Sequence, residues 1–262
     1  MGATGNADGG RPLQRRRLLQ LGTTVALSGC ARTDGDAGLR VGAATAPQTL
    51  DPFRATDAVA DRLVRLRYDR LVDFDERFMP VPGMARWEQL SPLRWRFTLR
   101  PGRRPFPDGR PPSAADVVAS LRRLRFDEPG PYQGALAAIT AVEPVDARRV
   151  DVVLDRPDVL LPGRLHLPIV PAAVAGDPRA RSAPGDSHRA LRLDGGDSHR
   201  ALRLRRRADG LAVSLAVVAD PTVRALKLAR GEIDLLQGDL PAELIDWLRG
   251  RDGIRVLSRP GT

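Results

Sequence analysis

The chain has 262 residues, 42% hydrophobic and 28% charged, which places it in the globular range and excludes a collagen-like repeat, a multi-span membrane protein and a largely disordered polypeptide. Its formal net charge is +10, and all but one of its 42 basic residues are arginine, Lys227 being the exception. The arginines run along the whole length and aromatics make up only 4%, so there is neither a basic stripe nor a set of stacking platforms, and no nucleic acid is expected as a partner.

The first segment reads as an export signal. Arg15, Arg16 and Arg17 precede an uncharged run over 18–29 that ends in small residues before Cys30, the only cysteine. Twelve helical residues reach about 18 Å at 1.5 Å per residue, too short for a hydrocarbon core of roughly 30 Å. Leu27-Ser28-Gly29-Cys30 resembles the lipobox of bacterial lipoproteins, and Gln14 to Leu19 resembles a twin-arginine signal. The resemblance implies a signal peptide over 1–29, lipidation at Cys30, a linker over 30–38 and an exported, periplasmic, membrane-anchored protein. A single cysteine supports no intrachain disulfide and no C-x-x-C metal knuckle.

A first strand is expected over 39–45. From Thr56 an apolar face of Val59, Leu63, Leu66 and Val72 predicts a helix whose other side is covered by arginines. Residues 81–100 read as a hairpin, because Trp95, Phe97 and Leu99 alternate with Arg94, Arg96 and Thr98. Ser113 with Asp116 forms a capping box that opens a helix through Val117, Leu121 and Leu124. Strands are expected over 139–145, 149–154, 211–218 and 232–236. Helices are expected after Asp220-Pro221 and after Pro241, stopped at Gly231 and Gly250. The alternation argues for an α/β domain, with a first part over 39–175 and a return segment over 211–262.

Between them lies a direct repeat. Gly185-Asp186-Ser187-His188-Arg189-Ala190-Leu191-Arg192-Leu193 recurs unchanged as Gly196-Asp197-Ser198-His199-Arg200-Ala201-Leu202-Arg203-Leu204. Residues 176–210 are expected to form an irregular, mobile, arginine-rich surface insert with little apolar area to bury. Gly-Asp-Ser invites a serine-hydrolase reading, but the last histidine is His199, inside the repeat, and no G-x-S-x-G elbow is present. Lys227 follows no Gly-x-x-x-x-Gly, and the three histidines lack H-E-x-x-H spacing. No catalysis, metal site or cofactor is expected.

Several segments together point to a known group. Thr49-Leu50-Asp51-Pro52, Tyr68-Asp69-Arg70-Leu71-Val72, Pro80 to Ala85, Trp95 to Gly102, Phe106-Pro107-Asp108-Gly109, Ser113 to Leu121 and Arg230-Gly231-Glu232-Ile233-Asp234 occur in that order. The chain resembles the extracytoplasmic solute-binding proteins of ABC transporters, family 5, the oligopeptide, dipeptide and nickel-binding group. The resemblance implies a type II periplasmic-binding-protein-like α/β fold of the peptide-binding subgroup, with the first lobe largely present and the second lobe missing beyond Thr262. It implies capture of peptides or similar small solutes for the permease subunits of an importer. By matching position, Thr56, Asp57 and Ala58 face the ligand cleft, and Tyr132 reaches it from the smaller subdomain. The alternative is that Thr56 caps the following helix and Tyr132 packs on a loop. Two further readings are a truncated fragment that binds nothing and, from another class, an arginine-rich binder of polyanions or anionic surfaces.

Overall fold

The structure, a computed structural model, describes residues 38–127, 130–177, 191–197, 201–238 and 240–257. The expected signal peptide, most of the expected linker, Cys30 and most of the first repeat copy lie outside the described residues. In chain order the first half contains β1 (Leu39–Ala43), α1 (Ala58–Arg67), β2 (Val72–Phe74), β3 (Pro80–Pro82), β4 (Ala85–Ser91), β5 (Arg94–Leu99) and α2 (Ala114–Arg122), which runs into a π-turn over Arg123–Asp127. Then come β6 (Ile139–Pro144), β7 (Arg149–Leu154), α3 (Leu161–Arg164), α4 (Ala172–Ala175), β8 (Leu191–Asp197), β9 (Ala201–Arg206), β10 (Ala212–Val217), α5 (Pro221–Ala229), β11 (Leu235–Leu236) and α6 (Ala242–Arg249).

The strands form a five-stranded sheet in the order β11-β1-β10-β9-β8, a four-stranded sheet in the order β4-β5-β7-β6 and the small β2-β3 pair. β1 runs parallel to both β10 and β11, with Val41 opposite Leu215 on one side and Leu235 on the other. The return segment therefore closes back on the first strand of the domain. Gly42 lets the strands pack closely there, since a Cβ at that position would stand 2.6 Å from a methyl of Leu236 and 2.8 Å from one of Ile233, and those side chains would have to move.

The four-stranded sheet is antiparallel throughout. Trp95, Phe97 and Leu99 are buried while Arg94, Arg96 and Thr98 point toward solvent, as their alternation predicts. Its inner face meets Val117 and Leu121 of α2 and Ile169 and Val170 in the larger core. A smaller core of Leu63, Leu191, Leu202, Leu204, Val213 and Leu215 lies against α1.

Four expectations are corrected. The helix begins at Ala58, not Thr56, and ends at Arg67, so Val72 belongs to β2. Its arginines do not all cover the outer side, for Arg67 is fully buried, with its guanidinium over the Tyr68 ring and donating to the carbonyl of Leu50. The irregular insert over 176–210 instead holds β8 and β9. The Leu-Arg-Leu of the second copy alternates with period two and buries Leu202 and Leu204, while Leu191 of the first copy is buried beside them. The strand expected over 232–236 shortens to β11.

Candidate functional site

Because β10, β1 and β11 are parallel, their carboxyl ends lie on one edge of the sheet. The chain leaves β1 toward α1 and the antiparallel sheets, whereas it leaves β10 for α5 and lands on the other side of β1. Open α/β sheets bind ligands outside the carboxyl ends of strands where the order reverses in this way. The described segments there are 44–57, 218–220, 237–238 and 240–241.

The first of these is built by short side chains. Thr49 Oγ1 accepts from the amide of Asp51 at 3.0 Å, and Asp51 Oδ1 accepts from the amide of Phe53 at 2.9 Å. This turns the chain at Pro52. Asp51 is 2% exposed, and its other oxygen faces Arg123 Nη2 at 3.8 Å. Arg123 lies over the Phe53 ring and donates to the carbonyls of Val174 and Ala175 at the end of α4, so the turn is tied to both α2 and α4.

Asp57 ends the loop as the N-cap of α1. Its Oδ1 accepts from Val59 and Ala60 at 3.1 and 2.8 Å, and Oδ2 accepts from the amide of Gln48 at 3.1 Å. The cap is thus Asp57 and not Thr56, and three amides already engage its carboxylate. Thr56 and Ala58 are exposed on either side of it. Tyr132 is half-buried against the larger core, and its hydroxyl donates to the carbonyl of Ala55 at 3.4 Å. Burial pushes its phenol up, with Arg70 pulling the other way, so it stays a neutral donor. The four residues therefore gather at one place. Cys30 lies outside the described residues.

The other motifs serve the scaffold. Asp116 is fully buried and accepts from Arg110 at 2.9 and 2.8 Å, from the Ser113 amide and hydroxyl at 2.8 and 2.7 Å, and from the Ala172 amide at 2.8 Å. Burial raises its pKa, but Arg110, Ser113 and Ala172 outweigh this and hold it below the ordinary carboxylate value. The carboxylate so joins the 106–110 turn, α2 and α4. His166 donates from Nδ1 to the carbonyl of Val72 at 3.0 Å, and burial, then Arg70, lowers its pKa to about 4. Sequence reasoning missed Arg123 and Arg67, since nothing in an arginine's spacing announces that it is buried under a loop.

Residues 80–189 match the sequence profile of the bacterial extracellular solute-binding proteins, family 5 (middle region). Over that stretch the chain is similar to this family. Among solved structures, the periplasmic binding protein MoaA of A. tumefaciens R10, in complex with mannopinic acid, is similar at 25% identity with a TM-score of 0.73 over 82% of this chain and 47% of that one. Among curated proteins, the periplasmic murein peptide-binding protein MppA of Escherichia coli K12 is 31% identical over 42% of this chain and 24% of its own length. The HTH-type transcriptional regulator SgrR of Yersinia enterocolitica is 39% identical over 52% of this chain and 24% of its own length. The fold of this chain is that of periplasmic binding proteins. It spans about half of the solved chain and about a quarter of the curated relatives it matches.

Proposed function

We propose that the chain is the solute-capturing part of a family 5 binding protein, holding peptides or similar small solutes for the permease subunits of an ABC importer. The observation that supports this reading is the hydrogen bond from Tyr132 to Ala55, which sets Tyr132 beside the exposed Thr56 and Ala58 on the segment between β1 and α1. The family match and the peptide named in the relative MppA support it. The reading involves binding and release and no bond-making step.

Within it, the site consists of the exposed backbone and side chains of Thr56 and Ala58, with Asp57 fixing their position and Tyr132 bracing the loop from the side. A solute held by one such face is covered on one side only, and affinity grows when a second face excludes water. Calorimetry of the purified chain against a peptide mixture tests the reading. Saturable binding weakened by Tyr132→Ala supports it, whereas affinity that collapses with salt and ignores peptide sequence favours a polyanion binder.

Export and anchoring complete the proposal. Arg15 to Cys30 has the order of a lipoprotein signal, so Cys30 becomes the acylated first residue and tethers the protein to the membrane. Mass spectrometry should find a diacylglyceryl group on Cys30, and Cys30→Ala should release the protein from membranes. A soluble chain that keeps Met1 overturns the anchor. The identity with SgrR favours a second reading, a solute-sensing module of a regulator, which predicts a cytoplasmic protein in cell fractionation.

A further inference from the structure

Between α1 and the face of the five-stranded sheet lies a cavity of about 90 Å³. Val41, Val59, Leu63, Leu204, Val213 and Leu215 wall it, and it extends to Ala44 and Gln237, immediately beyond the carboxyl ends of β1 and β11. Among the described residues, Arg62 and Gln237 are the only polar side chains in its lining. Arg62 is half-buried and makes no hydrogen bond or ion pair among the described residues. Its Nη2 lies 3.8 Å from the position a Cβ would take on Gly238, so the guanidinium reaches from α1 to the loop after β11.

We propose that this cavity is a pocket for a branched aliphatic group carried next to a carboxylate, with the carboxylate on Arg62. The inference rests on the reading that solute is held at this edge of the sheet. Size selects the aliphatic group. A volume of about 90 Å³ is that of about three waters, and well below the roughly 150 Å³ that admits a benzene ring, so a valine- or leucine-like group fits and an aromatic one does not. The walls select it too, because a polar group there would lose its water without gaining a partner. At the polar end, an unpaired guanidinium next to apolar walls favours a planar anion that can take two parallel hydrogen bonds. A C-terminal leucine of a peptide and a free branched short-chain acid share this chemistry.

Calorimetry of the full 262-residue chain with four probes tests the pocket: Ala-Ala-Leu, Ala-Ala-Ala, Ala-Ala-Leu amide and 4-methylpentanoate. Ala-Ala-Leu should bind roughly tenfold tighter than Ala-Ala-Ala and roughly tenfold tighter than its amide. Arg62→Gln should erase the difference between acid and amide but keep the preference for leucine. Val59→Phe, which fills the cavity, should do the reverse, and the smaller Ala44→Val should do so in part if Val59→Phe unfolds. The free acid distinguishes the two sources: affinity equal to that of Ala-Ala-Leu marks a site for short acids, and weaker affinity marks a subsite for a peptide end. Equal affinity for the leucine- and alanine-ended peptides, unchanged in the variants, overturns the pocket and leaves solute binding standing. No binding of any probe also overturns it, while the peptide mixture decides the wider reading independently.

Discussion

The hydroxyl of Tyr132 donates to the carbonyl of Ala55 across 77 residues of sequence, at 3.4 Å. It joins the segment after the π-turn to the loop that carries Thr56 and Ala58. A long neutral hydrogen bond of this kind contributes at the low end of the usual range, so Tyr132→Phe should cost about 0.5 kcal/mol in urea unfolding. Tyr132→Ala also removes a ring packed on the larger core and should cost about 3 kcal/mol. A Tyr132→Phe loss as large as that of Tyr132→Ala would mean the hydroxyl, not the ring, holds the loop.

Asp57 separates capping from ligand contact. Asp57→Ala leaves the amides of Val59, Ala60 and Gln48 without their acceptor and should destabilise the chain by about 1 kcal/mol. Asp57→Asn keeps an acceptor oxygen for the cap and should stay within about 0.5 kcal/mol of the parent. If Asp57→Asn abolished peptide binding while leaving the melting curve unchanged, the carboxylate would be a ligand group after all.

Much of this was legible wherever local chemistry and the fold agree. The Asp220-Pro221 start of α5 is realised, with Asp220 accepting from the amide of Val223 at 2.9 Å, and Ser113 with Asp116 opens α2. β5 showed itself by alternation. What sequence did not disclose depends on distant partners. The Leu-Arg-Leu copies looked polar and repetitive, yet their leucines have α1 and β10 to bury against. Arg67 and Arg123 are buried because loop and helix-end carbonyls receive them, a condition no local window contains. At the candidate site the cap is Asp57 and not its neighbour Thr56, a choice that depends on the backbone at the helix start and that two adjacent polar residues leave open in sequence.

His166 gives the fold a pH dependence. Its pKa in the folded chain is lowered to about 4 from an ordinary 6.5, so between these values the unfolded chain binds a proton that the folded chain refuses. Stability from this group is complete above pH 6.5 and is lost as pH falls toward 4. The slope approaches about 1.4 kcal/mol per pH unit and the total about 3 kcal/mol. The difference between parent and His166→Gln in unfolding free energy should shrink across that window. A difference that is flat from pH 7 to pH 4 would contradict the burial argument.

Phe78 sits at φ 59° in the turn between β2 and β3, where its amide donates to the carbonyl of Asp75. A left-handed backbone costs a side-chain-bearing residue about 1 kcal/mol, and at 65% exposure the ring recovers little of that by burial. Phe78→Gly should therefore be neutral or raise stability by up to about 1 kcal/mol in thermal unfolding. A clear loss would show that the ring covers something when the chain is at work.

The direct repeat leads to a sharper expectation. Leu202 and Leu204 of the second copy face Leu215 and Val213 of β10, and Leu193 of the first copy faces Leu204. Deleting one period as residues 185–195 keeps β9 and β10 unchanged and removes most of β8. Deleting residues 196–206 instead joins Gly195 to Arg207, which brings Ala190-Leu191-Arg192-Leu193 to the same distance from β10 that the second copy held. The first copy then has the sequence and spacing to become β9, with Asp194 and Gly195 where Arg205 and Arg206 stood. Both variants should fold, and both should melt below the parent because Leu191 and Leu193, or their equivalents, no longer cover the sheet. That loss is about 3 kcal/mol, or roughly 6 to 12 °C for a chain of this size. Their melting temperatures should agree within about 5 °C. Deleting residues 198–203, which breaks the period, shifts the leucines off the buried face and should unfold the sheet. A wide gap between the two one-period deletions would show that the Arg206 to Asp209 pair, lost only from the second, specifies the β9 to β10 hairpin more than the leucines do.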